Sequence, residues 1–564
     1  MKSDQSEQIR DSKNKNPIYV KNIVQRSDTS NNEILSNATE ATKTTVTKII
    51  TVDTNVAESI ISPSLSINNE TTEITNIPEN VMEALNTLVE TKFSTNNFKY
   101  ETLPVSGRGE NSYGSVLQIK IYLNDNDQVK NNKDNNEKDD SHEIENIKDI
   151  KPNDQFYCIV KISPKNEARR QTMKVVEYYQ RETYVYKNIF LEYMKLQSNN
   201  MTLQKNSNIF IYDDYEHEKK LIDLKIAPIL YSSSNEPQNE FLLLEDLHQS
   251  GYLRYNRKNT VTYDHVVLAI KELAKYHALS FVLRSKNPQK FDDIVNNIRT
   301  DNLFSEALSQ VSVEFGKKYM KAAIKMLETE NQLHSRVLKN KDKIINSISV
   351  LYDNFKEICI KLVDGSAIEP YAAICHGDFW NNNILYKYNE NNIPVSAKLI
   401  DFQMARYSAP VLDLVHYLFT CTGKQLRDKY FDDFKDNYYN ELANTLRNFD
   451  IDPNEIFPRL IFENQIHQHG IYGFCMACYA VPFFISDSSD LPNLDEASEA
   501  MRELSESSSD DGECDEDKDL KTTALLEEYE MLNERTTPIF KERMVGVLID
   551  LAKYNMLDST FLKS

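Results

Sequence analysis

Cysteine is scarce in this chain: 7 in 564 residues, an odd number with a single close pair, Cys475-x-x-Cys478. That pair lies in a Tyr/Phe/Met-rich apolar stretch, without a second pair or a histidine at metal spacing. A buried helix face therefore explains it better than zinc. Long apolar runs are also missing. The longest, Ile471 to Ile485, is interrupted by Pro482 and is too short to span a bilayer. The polar start Met1-Lys2-Ser3-Asp4-Gln5 lacks the apolar core of a signal peptide. Together these absences predict a reducing, cytoplasmic setting with no membrane span. No basic stripe exists either, which argues against nucleic acid as a partner. The net charge is −21, and two segments, 124–154 and 486–521, carry −16 of it. The remainder of the chain is only mildly acidic.

The length suffices for two domain-sized units with a sizeable core. Residues 1–77, rich in Ser, Thr, Asn and Glu without a sustained period, read as a disordered tail. Order begins at Pro78, where Val81, Leu85, Leu88 and Val89 mark an amphipathic helix opened by proline. A β-rich stretch follows. Ile119, Ile121 and Leu123 alternate with polar neighbours, and 156–162 reads as a more buried strand. The Asn/Asp/Lys-rich insertion 124–154 fits a solvated hairpin loop between them. Residues 166–190 read as helix, and Phe241 to Leu247 as a buried strand ending in acids. From 262 to 360 the pattern is mainly helical, with Val267, Ile270, Leu273, Ala274 and His277 on one face. Helix returns at 525–556, beyond an acidic insertion, 486–521, expected to be a solvated loop. There is no internal repeat. The expectation is an α+β, bilobal chain: a small β-rich lobe over 78–247 and a larger helical lobe over 248–564.

The densest chemistry lies at His376-Gly-Asp378-Phe-Trp380-Asn-Asn-Asn383, followed by Leu399-Ile400-Asp401-Phe402-Gln403. Phosphoryl transfer from a metal-bound nucleotide needs one carboxylate to take the acceptor's proton. It also needs an amide and a second carboxylate to hold the metal. Asp378 with Asn383 five residues on, and Asp401 at the end of an apolar strand, supply that set. A single Asp capping a turn is common, but capping explains this combination poorly. His376 is expected to support the loop by hydrogen bonding rather than to transfer a proton. Trp380, the only tryptophan, either touches substrate or packs. Asp413 is expected to brace the loop from a helix start.

Phosphates also need backbone N–H donors and a cation. Ser106 to Ser115 places three of the chain's 12 glycines just before a strand, although such a turn is often only a hairpin. Lys161 stands inside an apolar strand, costly unless its ammonium meets a counter-charge. Glu182 in the following helix is the natural partner; snorkelling to solvent is the alternative.

On these residues the chain resembles the ecdysteroid kinase-like (CHK kinase-like) family, a branch of the choline kinase and aminoglycoside phosphotransferase group of the protein kinase-like fold. The resemblance runs from about Pro78 to the C-terminus. It is carried by G-E-N-S-Y-G-S (109–115), I-V-K-I-S-P (159–164), E-T-Y-V-Y (182–186), L-L-E-D-L (243–247), L-A-K-Y-H-A-L-S (273–280), C-H-G-D-F-W-N-N-N (375–383), I-D-F-Q (400–403) and P-V-L-D-L (410–414). Gln403, where protein kinases carry glycine, and the absence of their H-R-D arginine separate it from them.

The resemblance implies ATP and Mg2+ as cofactors, with Asp378 as base and Asn383 and Asp401 as metal ligands. It implies Lys161, oriented by Glu182, on the phosphates; Gly107, Gly109, Asn111 and Ser115 in the phosphate loop; and Glu245 to Leu247 as the adenine-binding hinge. It also implies a small-molecule hydroxyl acceptor, a steroid or other lipophilic alcohol. Choline or ethanolamine kinase, and a non-catalytic nucleotide-binding scaffold, are the alternatives. Three features depart from the family pattern: a loop one residue longer than usual, the insertion 124–154, and the N-terminal tail.

Overall fold

The computed structural model describes residues 77–105, 113–123, 155–197, 226–299, 309–330, 340–507, 522–527 and 530–563. The expected tail (up to residue 76), the loop residues Gly107, Gly109 and Asn111, and the insertion 124–154 lie outside these residues. Ile77, assigned above to the tail, is buried and belongs to the core.

The first lobe is a five-stranded antiparallel sheet in the order β1-β2-β3-β5-β4. Its strands are β1 (Phe98–Pro104), β2 (Ser115–Leu123), β3 (Phe156–Ile162), β4 (Leu230–Ser234) and β5 (Phe241–Glu245). Helix α1 (Glu79–Phe93) follows Pro78 and buries Val81, Leu85, Leu88 and Val89. These residues share a core with Ile119, Ile121, Cys158, Val160 and Leu243 from one sheet face. The other face carries Lys161, whose strand is paired on both sides: Val116 opposite on β2 and Leu242 on β5. A central strand cannot let its lysine snorkel past an edge, so the counter-charge must come from beneath.

The helix expected over 166–190 is broken. Helix α2 (Glu167–Thr172) ends before Lys174, which takes φ +51°, and α3 (Val175–Tyr184) starts anew. A π-helical turn, Val185–Ile189, then leads into α4 (Phe190–Gln197).

The second lobe is mainly helical, and its core runs continuously up beneath the sheet. Helix α5 (Tyr263–Lys286) buries Ile270, Leu273, Ala274 and His277, while Val267, expected on the same face, is only partly buried. Further helices are α6 (Pro288–Arg299), α7 (Gln310–Glu328), α8 (Lys341–Asp353), α9 (Phe355–Val363), α10 (Val411–Cys421), α11 (Lys424–Asn448), α12 (Arg459–His469) and α13 (Ile471–Ile485). Two short sheets hold the functional loops. One joins β6 (Tyr252–Arg254), β8 (Ile384–Tyr388) and β9 (Pro394–Leu399); the other joins β7 (Ala373–Cys375) and β10 (Arg406–Ser408).

Helix α13 passes through Pro482 to Ile485, with Cys475 and Cys478 buried on the way, the buried helix face expected of that pair. One expectation needs correction. The acidic segment 486–521 is not a plain loop. Residues Leu494–Ser507 form helix α14, introduced by Asn493, whose side chain accepts from the Asp495 amide and donates to Glu496. One side of α14 packs Ala500, Met501 and Leu504 against Val311, Leu525 and Leu526. Its other contacts reach α2 in the sheet lobe: Arg169 to Asp495 at 3.2 Å and Asn166 to Glu499 at 2.8 Å. The C-terminal helix α15 spans Thr536–Lys553. No helix among the described residues is long and apolar enough to cross a membrane.

Candidate active site

Lys161 is buried, and its ammonium donates to three oxygens: Glu182 Oε2 at 2.6 Å, Asp401 Oδ1 at 2.7 Å and Gln403 Oε1 at 2.8 Å. Burial works against its charge, but Asp401 and Glu182 outweigh it and hold its pKa above the ordinary lysine value. Burial pushes the Glu182 carboxyl up, opposed by the Lys161 charge and by the Phe402 amide. The ion pair expected between β3 and the following helix is therefore formed, and Asp401 shares the same cation. Gln403 as a third partner was not foreseen.

Asp401 follows β9 at φ +68°, a left-handed conformation uncommon outside glycine. That turn lets Asp401 meet Lys161 while the next side chain, Phe402, is buried between α4 and the loop. The Phe402 ring lies 4.8 Å from Phe190 and 4.6 Å from His376.

The catalytic-loop candidates lie on the short segment between β7 and β8. Asp378 Oδ2 accepts from Asn383 Nδ2 at 3.0 Å and from Trp380 Nε1 at 3.2 Å. With its amide nitrogen also on the Asp378 carbonyl at 2.9 Å, Asn383 turns its amide oxygen away from Asp378. Burial and the neighbouring Asp401 charge push Asp378 up to about 7, against the hydrogen bonds of Trp380 and Asn383. A base near neutral pH is suited to proton abstraction.

The two loops are tied together from behind. His376 is fully buried, and its Nε2 pairs with the Ile400 carbonyl at 3.0 Å, beside Asp401. Burial lowers its pKa, so a neutral, loop-holding imidazole fits the supporting role expected of it. Asp413 accepts the His376 amide at 2.6 Å and the Gly377 amide at 3.0 Å. Burial opposes the Asp413 charge, but the His277 hydrogen bond and nearby cations hold it down at about 2. His277, Cys375 and Asp413 cluster closely enough to suggest a metal. Their atoms are already engaged, however, with Tyr438, the two loop amides and backbone carbonyls. Gly377, at φ +86°, presses on the neighbouring segment so closely that a β-carbon would lie 1.8 Å from the Met404 carbonyl oxygen. Arg406, unforeseen, donates from Nη2 to the Gly377 carbonyl at 2.9 Å and to the Tyr472 hydroxyl at 2.5 Å.

Of the remaining expected residues, Ser115 opens β2 opposite Ile162 and is exposed. Just before it, Gly114 permits the close approach: a β-carbon there would sit 2.0 Å from the Ile162 oxygen. Glu245 ends β5 and is held to Ile229 through both backbone and side chain. Asp246 caps the turn into Leu247–Ser250 and accepts from Gln118 at 2.7 Å. Leu247 is buried against Tyr252, Leu385 and Ile400, directly before the chain enters the second lobe.

An Asn amide oxygen and an Asp carboxylate are hard oxygen donors of the kind magnesium takes, and Asp401 remains about one-fifth exposed. Asn383 and Asp401 therefore fit a divalent cation.

The ecdysteroid kinase-like family model matches residues 109–451. No curated protein matches the chain at significant similarity. Among solved structures, an ethanolamine kinase from Plasmodium vivax is 12% identical, with 84% of this chain and 93% of that one covered, at a TM-score of 0.31. A spectinomycin phosphotransferase with ADP and spectinomycin is 12% identical over 74% and 98% of the two chains, at 0.29. An aminoglycoside 2'-phosphotransferase with GDP is 11% identical over 79% and 98%, at 0.28.

Proposed function

The chain belongs to the ecdysteroid kinase-like family, and from that premise we propose that it is an ATP-dependent kinase phosphorylating a hydroxyl of a small lipophilic alcohol, a steroid of the ecdysteroid type foremost. The observation that carries this reading is the convergence under Lys161. Glu182 from the sheet lobe and Asp401 from the second lobe meet on one ammonium, with Asp401 close enough to Asp378 to raise its pKa.

In this reading Asp378 takes the proton from the acceptor hydroxyl. The acceptor oxygen forms a bond to the γ-phosphorus, the bond from that phosphorus to the β–γ bridging oxygen breaks, and ADP leaves with the bridging electrons. Both described donors to Asp378 sit on Oδ2, and in this reading Oδ1 takes the incoming hydroxyl. Lys161 carries positive charge toward the phosphates and is steered by Glu182. Asn383 and Asp401 would hold magnesium, which when bound supplies positive charge against the phosphate oxygens. The backbone around Glu245 to Leu247 would receive the adenine.

A screen of hydroxylated lipophilic compounds, with choline and ethanolamine included, incubated with Mg-ATP and read by mass, tests the proposal. A phosphorylated alcohol formed by the wild type and not by D378N is the expected result. Magnesium-dependent ATP binding with no consumption against any alcohol would favour a scaffold instead.

A further inference from the structure

Trp380 occupies an unusual position for the chain's single tryptophan. Its indole N–H reaches Asp378 Oδ2 at 3.2 Å, while its ring lies flat on Phe484, centroids 4.5 Å apart and planes 5° from parallel. Phe484 is buried in the last turn of α13. That turn is itself pinned: Arg257 donates to the Phe484 carbonyl at 3.2 Å, and Arg535 to the Ile485 carbonyl at 2.8 Å. A fixed backbone thus holds a ring, that ring holds a second ring, and the second ring holds one oxygen of the carboxylate assigned to proton transfer.

We propose that Trp380 and Phe484 form a positioning pair for Asp378. Trp380 fixes the carboxylate rotamer through its N–H, and Phe484 fixes Trp380 by stacking. The inference rests on the reading of Asp378 as the base. An aspartate has two soft torsions, and among the described residues Asn383 supplies one tether to its carboxylate. The indole supplies the second tether on the same oxygen, so that Oδ1 keeps one direction. A carboxylate free to swing spends less time aligned with an acceptor hydroxyl, and small misplacement is costly in such reactions. Loss of a hydrogen bond to a charged group is worth about a tenfold effect or more.

The test uses W380F, F484A, F484Y and D378N in the full chain. Turnover is measured as Mg-ATP hydrolysis with water as acceptor and as transfer to the alcohol returned by the screen. W380F, which keeps a ring and loses the N–H, should lower kcat about tenfold with the KM for Mg-ATP within about twofold. F484A should lower kcat in the same way, and F484Y should recover most of that loss. Because the chain has one tryptophan, its emission reports the pair without any turnover: F484A should shift it, and D378N should alter it more weakly. Unchanged emission in F484A would overturn the proposal, as would wild-type kcat in W380F. So would a rise in KM for Mg-ATP matching the fall in kcat, the mark of a merely structural role. Full turnover in D378N would instead overturn the assignment of the base, whatever the emission shows.

Discussion

Lys161 Nζ and Asp401 Oδ1 lie 2.7 Å apart across 240 residues of sequence, one on a sheet strand and the other just beyond β9 of the helical lobe. The same ammonium is held by Glu182. Removing it leaves two carboxylates facing one another under a protein roof. Lys161→Met should therefore lower stability by about 3 kcal/mol, as breaking a buried ion pair does, and weaken Mg-ATP binding at least about tenfold. Thermal unfolding with and without Mg-ATP measures both. Equal stabilisation of wild type and variant by the nucleotide would remove Lys161 from the phosphate site.

Asp378→Asn keeps shape and loses the carboxylate proposed to accept the proton. Turnover should fall by about 10²-fold or more, the usual weight of a general base, while Mg-ATP affinity stays within about threefold. Single-turnover kinetics alongside nucleotide titration separates the two. Residual catalysis near the wild-type rate would refute the assignment.

Acid should unfold this protein through its histidines. Burial depresses His416 to about 3, and His265 and His469 to about 4 each. A histidine neutral in the folded state and near 6.5 when unfolded binds more protons in the unfolded chain between those values. Its stabilising contribution is complete above about pH 6.5 and fades as pH falls toward 4. Each such histidine removes up to about 1.4 kcal/mol per pH unit inside that window. Denaturant midpoints between pH 7 and pH 5 should fall steeply, and His416→Phe should flatten the slope. A flat profile would contradict neutral burial.

The bridge from α14 to α2 should be a weak tie. Asp495 is about half exposed, its partner Arg169 much less so, and such pairs contribute well under 1 kcal/mol. Arg169→Ala should speed nucleotide release about twofold at low salt, with the difference vanishing near 1 M salt. Stopped-flow displacement of a fluorescent nucleotide reads this directly. A tenfold or salt-independent change would mean that α14 acts otherwise than as an ionic tie between the lobes.

Much of the site was legible because its residues are costly anywhere else. A lysine amid Ile159, Val160 and Ile162 demanded a carboxylate, and Glu182 supplies it. Proline ahead of Val81, Leu85, Leu88 and Val89 marked the start of α1 and its buried face, though not its end at Phe93. Asp413 was rightly expected at the loop, for it holds two loop amides. What escaped notice had signals of its own. Helix α14 carries Asn493 three residues before Glu496, then Ala497, Met501 and Leu504 at helical spacing, but its acidity masked the period. Arg406 opens the three-residue strand Arg406–Ser408, buried throughout, but with Tyr407 and Ser408 beside it no apolar run marks its charge as costly. The partnership of Gln403 with Lys161 depends on the turn after β9, and no local pattern encodes the left-handed conformation of Asp401.

Gly377 leaves no room for even one extra carbon before the Met404 carbonyl. The spacing between the two acidic groups is thereby set by peptide touching peptide, not by the girth of replaceable side chains. Side chains elsewhere around the two loops can be exchanged over generations while this separation keeps its calibration.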